Sequence, residues 1–177
     1  GLYGNEPFFK KLFRTIFLNL PTHNLVYESR SKKLLIKAGF NSKKISVIYN
    51  SLDYDNQLKK YKNLKKKSPN NIFNNQSPIL LFIGRLTYSK KIHLLIDVAN
   101  KLNEKYDLNL LIIGNGPTLN KLEKLSKKLI NQGKCIFYGE CHDEDILSEL
   151  IFNSDLTVSP GNVGLTAIHS LSYGTPV

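Results

Sequence analysis

From residue 79 onward, short apolar runs alternate with segments whose apolar residues recur every three or four positions. The runs are Ile79–Ile83, Leu110–Ile113, Cys135–Tyr138 and Leu156–Ser159. Runs this short and this apolar suit strands buried on both faces. Between the first two, Ile92, Leu95, Ile96, Ala99 and Leu102 keep helical spacing, with Ser89 placed near a cap. Leu119, Leu122, Leu125 and Leu129 repeat that spacing and predict a second helix. A third is predicted over Asp143–Phe152, with Asp143 and Glu144 in its first turn, where carboxylates favour the helix dipole. A fourth is predicted over Leu165–Tyr173. The alternation predicts an α/β fold, a parallel sheet with helices around it. Its strands should begin near 79, 109, 135 and 155.

Upstream the pattern changes. Phe8 to Leu20 reads as a helix, Asn24–Tyr27 as a short strand, Ser31–Ala38 as a basic helix and Ile45–Tyr49 as a strand. Residues 51–78 are polar and rich in Lys and Asn, which predicts an exposed connector or a crossing between domains rather than core. The domain reading is therefore 1–50, a 51–78 connector and a 79–177 sheet domain. The chain has no Met, not even at position 1, and stops at Gly174-Thr-Pro-Val177 where a strand is expected to begin. We read it as a piece of a longer protein, incomplete at both ends.

Glycine punctuates the strands. Gly84, Gly114 and Gly139 follow the first three, and Pro160-Gly161 the fourth. Four such loops at the carboxyl edge of one sheet predict a cleft, where ligands of open α/β sheets bind. Arg85 and Lys90 fall on that edge, and a planar fork of donors beside a mobile point charge suits a diphosphate. Gly164, Leu165 and Thr166 open the last helix, whose unpaired amides can receive an anion. The Gly114-Asn115-Gly116-Pro117 loop reads as an ordinary turn, and it lacks the third glycine of a dinucleotide fingerprint. His169 lies one turn into the last helix, where it should look toward the cleft with Thr166.

Composition changes the picture only a little. The net charge is +11, yet only three of the 25 basic residues are Arg. Nucleic-acid surfaces lean on Arg and exposed aromatics, so this Lys/Asn/Ile surplus reads as compositional, and no nucleic-acid partner is expected. Cys135 and Cys141 are the only cysteines and have no companions at metal-ligand spacing, so they read as free thiols and no metal site is predicted. No stretch approaches ~18 uninterrupted apolar residues, so nothing is expected to span a membrane. Phe9, Leu12, Phe13, Ile16 and Leu20, mixed with Lys10, Lys11 and Arg14, suit a core face first and an anionic membrane surface second.

Taken in order, these residues resemble the retaining glycosyltransferases of family 4, which share the GT-B architecture of two Rossmann-like domains. The family's Gly-Arg-Leu…Glu-Lys-Gly element is similar to Gly84-Arg-Leu-Thr-Tyr-Ser-Lys-Lys91. Its Gly-Asp/Asn-Gly-Pro loop is similar to Gly114–Pro117, its apolar-Gly loop to Phe137-Tyr-Gly-Glu140, and its long closing motif to Ser159–Val177. Val47-Ile-Tyr-Asn-Ser-Leu-Asp53 resembles the hinge into the donor domain. The resemblance implies the C-terminal, donor-binding domain of a GT-B enzyme preceded by a remnant of the acceptor domain. It implies that Arg85, Lys90 and the amides of Gly164–Thr166 hold the donor diphosphate, that Gly139, Glu140 and Cys141 border the base, and that Gly84, Gly114 and Asn115 line the cleft. Gly161, Asn162 and His169 would face the donor sugar and ribose. The family's paired glutamates align with Gly161 and His169, a departure that points to a subfamily.

The implied activity is sugar transfer from a nucleoside-diphosphate sugar, its substrate, to an acceptor glycan or lipid-linked sugar. It needs no metal or other cofactor. The setting is bacterial surface-polysaccharide synthesis in the cytoplasm, with peripheral contact at the inner membrane face. Alternatives are a sugar-nucleotide epimerase of the same architecture and a non-catalytic basic binding module. The isolated piece is expected to be inactive. His169 is expected to be kept neutral by the helix start and by Arg85 and Lys90, with a bound diphosphate pulling the other way. Because a carboxylate accepts from two ribose hydroxyls at once, His169→Glu is expected to keep or improve nucleotide affinity and His169→Leu to reduce it.

Overall fold

The computed structural model describes residues 7–68, 70 and 72–177. Residues 1–6, Pro69 and Asn71 lie outside the described residues, as do the side chains of Phe8 and Lys11. Contacts divide the chain into two units, Gly1–Ser51 and Leu52–Val177.

In the first unit, α1 (Phe8–Asn19) precedes β1 (Asn24–Val26), α2 (Ser29–Lys37) and β2 (Ile45–Val47). The two strands pair in parallel, Asn24 opposite Ile45. Leu35 of α2 and Ile45 are buried. Among the described residues nothing covers the apolar face of α1: Phe9, Leu12, Phe13, Ile16 and Phe17 are all exposed. The helix end is held from its polar side instead, where the Asn24 side chain donates to the Leu18 carbonyl. Among the described residues no helix is long and apolar enough to cross a membrane.

The second unit begins with α3 (Tyr54–Leu64) and then alternates: β3 (Ile79–Ile83), α4 (Ile92–Leu102), β4 (Asn109–Ile113), α5 (Leu119–Leu125), α6 (Lys127–Asn131), β5 (Cys135–Gly139), α7 (Glu144–Phe152), β6 (Leu156–Thr157) and α8 (Thr166–Ser172). The sheet order is β5-β4-β3-β6 and every pairing is parallel. The side-chain alternation of the strands sorts the core into two faces. Phe82, Leu110, Ile112 and Cys135 pack with Ile92, Leu95, Ile96 and Ala99 of α4, Leu122 of α5 and Leu129 of α6. Ile79, Leu81, Leu111 and Ile113 pack with Leu64 of α3, Leu147 and Ile151 of α7, and Tyr173. All five residues of β4 are buried, as a central parallel strand covered on both faces requires. Strand β6 is short, and its Thr157 amide bonds to the Pro176 carbonyl, so the segment after α8 lies against it.

Three expectations need correction. The exposed connector is not one: α3 is capped by Asp53, whose carboxylate accepts from the Asn56 amide, and Leu64 and Phe73 are buried. Its apolar face is narrow, carried by Tyr61 and Leu64 with a buried Gln57, so the segment reads as polar. Ion pairing of Lys60 with Asp145 and a side-chain pair between Asn75 and Asn109 tie it down further. The single helix over Leu119–Leu129 is two, because the buried Ser126 hydroxyl donates to the Leu122 carbonyl and turns the chain there. Ser89 does not cap α4. A 3-10 turn at Tyr88–Lys90 intervenes, and Lys91, in the left-handed region at φ 52°, stands at the cap position.

Leu111 is 1% exposed in the central strand. Leu111→Ala should therefore cost about 3 kcal/mol of unfolding free energy in urea titration. Lys101→Ala on the outer end of α4 should change it by less than about 0.5 kcal/mol.

Candidate functional site

The strand ends are laced together by backbone. The Gly84 amide donates to the Ile113 carbonyl at 2.9 Å, and the Gly114 amide to the Gly139 carbonyl at 2.7 Å. Gly114 sits at φ 133°, and a Cβ there would lie 2.1 Å from the Gly84 oxygen, so no other residue fits. The loop beyond it grips the end of β3. The Leu86 amide donates to the Asn115 carbonyl, and the Thr118 amide and hydroxyl both donate to the Leu86 carbonyl. Gly114–Pro117, an ordinary turn by its sequence, is thus a clamp that fixes Gly84–Leu86.

A cavity of about 270 Å³ opens at this edge. Gly84, Arg85, Gly114, Asn115, Glu140 and Cys141 line it, with Ile83, Ile113 and His142. The sequence placed all but the last three there. Arg85 is exposed, and its guanidinium has no hydrogen-bond or ion-pair partner among the described residues. Cys141 is half-buried, and burial raises its thiol pKa. Cys135, in the core, is pushed up to about 12 by burial.

Lys90, Gly161, Asn162 and Gly164–Thr166 form a second cluster beside this cavity rather than in its lining. The Lys90 Nζ donates to the Asn162 carbonyl at 2.5 Å, and its Cε passes 4.0 Å from where a Gly84 Cβ would stand. A Cβ at Gly161 would meet the Ser89 carbonyl oxygen at 2.2 Å and the Lys90 carbonyl carbon at 2.7 Å. The loop after β6 is therefore pressed onto the Tyr88–Lys90 turn. The Thr166 hydroxyl donates to the Ile83 carbonyl at 3.4 Å and brings the start of α8 to the end of β3. The two clusters meet at Ile83-Gly84.

His169 is 8% exposed. Its Nε2 stands 3.3 Å from a Glu144 carboxylate oxygen, close enough for ion contact but without a well-formed hydrogen bond. Its ring leans on Tyr173, with centroids 5.4 Å apart. Burial lowers the imidazole pKa, and Glu144 pulls it partly back. The neutral form is favoured by desolvation, not by Arg85 or Lys90 as the sequence suggested. A glutamate at 169 would face the Glu144 carboxylate. Glu144 and His142, which lies 3.6 Å from Glu140, escaped the sequence reading. Glu144 looked like a dipole-favoured first-turn residue because its partner comes from a later helix. Among the described residues no three His, Cys, Asp or Glu side chains gather as a metal would require.

Residues 62–177 match the family described as glycosyl transferases group 1. An uncharacterised glycosyltransferase of Methanocaldococcus jannaschii is 31% identical over the whole of this chain, which spans 47% of that relative. Among solved structures, the Anabaena HepE protein in complex with UDP-glucose aligns over 99% of this chain and 50% of its own, with a TM-score of 0.66 at 18% identity. WaaG, a glycosyltransferase involved in lipopolysaccharide biosynthesis, aligns over 98% of this chain and 51% of its own, with a TM-score of 0.62 at 18% identity. The chain spans about half the length of these proteins. The helix-flanked parallel sheet is the one that GT-B glycosyltransferases carry. With about two-thirds of its length inside the family match, the chain belongs to the glycosyl transferases group 1 family.

Proposed function

We propose that this chain is the donor-binding part of a retaining, family 4 glycosyltransferase. The whole protein would move a sugar from a nucleoside diphosphate to an acceptor glycan or lipid-linked sugar in bacterial surface-polysaccharide synthesis. The observation that carries the reading is the pair of cations at Gly84: Arg85 opens unpartnered onto the cavity, and Lys90 crosses the glycine toward the start of α8. Transfer breaks the bond between the anomeric carbon and a diphosphate oxygen, and negative charge grows on the departing nucleoside diphosphate. Cations fixed beside that oxygen stabilise the departing state more than the bound donor. The first amides of α8, at Gly164–Thr166, lack intrahelical acceptors and would add to this. In this reading the two side chains supply the counter-charge, and no metal or other cofactor is invoked.

Glu140 and Cys141, at the far side of the cavity, would border the base. Gly161 cannot bear a carboxylate without moving the Tyr88–Lys90 turn, so contact with the transferred sugar falls to the backbone at Gly161 and Asn162. The family match favours transfer over the epimerase and binding-module readings. The mixture of apolar and basic residues along α1 is the basis on which we add peripheral contact with the anionic inner face of a membrane. Transfer needs the acceptor-side wall to position the second substrate and exclude water. These 177 residues alone are therefore expected to bind donor without turning it over.

Arg85→Ala and Lys90→Ala should each weaken binding of the preferred nucleoside diphosphate by about 1–3 kcal/mol in calorimetry. Unchanged affinity in either variant removes that residue from the site. Saturating nucleoside diphosphate should slow thiol-reagent modification of Cys141, with Cys135 unreactive until unfolding as an internal control. Equal rates with and without nucleotide would place the base elsewhere. Gly161→Glu should lose nucleotide affinity and thermal stability together, since its Cβ displaces backbone rather than a flexible side chain. A variant that binds more tightly would show that the loop can shift.

A further inference from the structure

Helices α4 and α5 leave a groove between them that the site at the sheet edge does not use. Its volume is about 440 Å³, within the range of roughly 300–1,000 Å³ that small-ligand sites occupy. On α5 the lining residues Lys121, Leu122 and Leu125 share one face, and on α4 His93 and Asp97 stand one turn apart. Ile92 and Leu122 are buried and give the groove an apolar floor. Two of its polar groups are already spent: the Thr118 hydroxyl donates to the Leu86 carbonyl, and the Thr87 hydroxyl pairs with Ser89. His93, Asp97 and Lys121 are not, since none of them has a hydrogen-bond or ion-pair partner among the described residues. Tyr88 completes the lining. It is 70% exposed, and the Lys121 ammonium stands over its ring, 5.6 Å from the centroid. An exposed aromatic ring beside an unpaired acid, above an apolar floor, suits a ligand with one apolar face and a rim of hydroxyls.

We propose that this groove binds a pyranose residue of a glycan, as a second sugar site outside the donor cleft. The C–H face of a pyranose carries slight positive charge and packs on the electron-rich face of an aromatic ring, here Tyr88. The hydroxyls around its edge donate to a carboxylate and accept from an ammonium in charge-assisted bonds. Asp97 supplies the first and Lys121 the second, while His93 adds one donor and one acceptor when neutral. Other occupants fit less well. A wholly apolar ligand would strip water from Asp97 and Lys121 without pairing them. A diphosphate would be repelled by Asp97. The choice of a sugar rests on the family match and not on the donor-binding reading. Tyr88 shares its turn with Lys90, so a glycan held here lies beside the cleft, where it stays close while donor is exchanged.

The chain contains no Trp, so Tyr88→Trp places a single fluorophore in the groove and keeps an aromatic face there. Trisaccharides of glucose, galactose, mannose, N-acetylglucosamine and galacturonic acid are titrated against this variant of the full chain. At least one should shift its emission. Tyr106→Trp, beyond the far end of α4 and before β4, should not respond to the same sugar. In calorimetry with the sugar that binds, Asp97→Ala should lower affinity by about tenfold or more, the worth of a hydrogen bond to a charged group. Tyr88→Ala should lower it comparably. Asp97 and Tyr88 are both exposed, so neither variant should move the thermal midpoint by more than a few degrees, and Asp97→Ala should leave nucleotide affinity unchanged. If none of the five sugars shifts the Tyr88→Trp emission, or if Asp97→Ala binds the sugar as tightly as the parent, the assignment is overturned and the donor site stands. If a sugar binds as described while neither UDP nor GDP binds the parent, the donor-binding reading fails and the groove assignment stands.

Discussion

The contact on which the rest of the second unit depends is backbone against backbone at the carboxyl edge of the sheet. Gly114 packs so closely on the Gly84 carbonyl that even one methyl group is excluded. Adjacent parallel strands normally splay their connecting loops, because side chains keep them apart. Here the absence of side chains lets the loop after β4 reach across and bond Leu86 from two sides. The exit of β3 is thereby held rigid. Arg85 and Lys90 leave from that fixed segment, so their direction is set by the sheet rather than by the flexibility of a surface loop.

The same constraint operates at Gly161, with a different chemical consequence. The loop after β6 lies on the carbonyl groups of the Tyr88–Lys90 turn, and Lys90 in turn donates to the Asn162 carbonyl. Any side chain at 161 would run into that backbone. On α7, Glu144 faces the buried His169 of α8. Burial lowers the basicity of that histidine, and Glu144 partly offsets the effect. Most of the surplus Lys charge lies on solvated helix surfaces, where screening leaves it little specific work.

Much of the fold was legible along the chain because its signals are local. A central parallel strand must be apolar on both faces, and Leu110–Ile113 is; the helices of the α4 face show their period in Ile92, Leu95, Ile96 and Ala99. The cavity-lining glycines and Arg85 were legible for a related reason, since strand order alone carries successive strand ends to one edge, whereas Glu140 and Cys141 came from the family resemblance. What failed to show was set by contacts distant in sequence. Helix α3 looked like connector because a narrow apolar face is enough when α7 and the Asn75–Asn109 pair hold the segment. A lone serine, hydrogen-bonded back to Leu122, split a helix whose leucine spacing was unbroken.

The sequence by itself determined the parallel α/β sheet, the edge at which a ligand would sit and the cations placed there, because burial on two faces and glycine at strand ends are properties of each segment alone. Only the tertiary structure decided that Gly114 and Gly161 are sterically obligatory, that Lys90 reaches a second loop, and that Glu144 meets His169. Those facts depend on the separation of atoms from different elements. At 2 to 4 Å, that separation follows from how the helices settle on the sheet and from nothing written in any one of them.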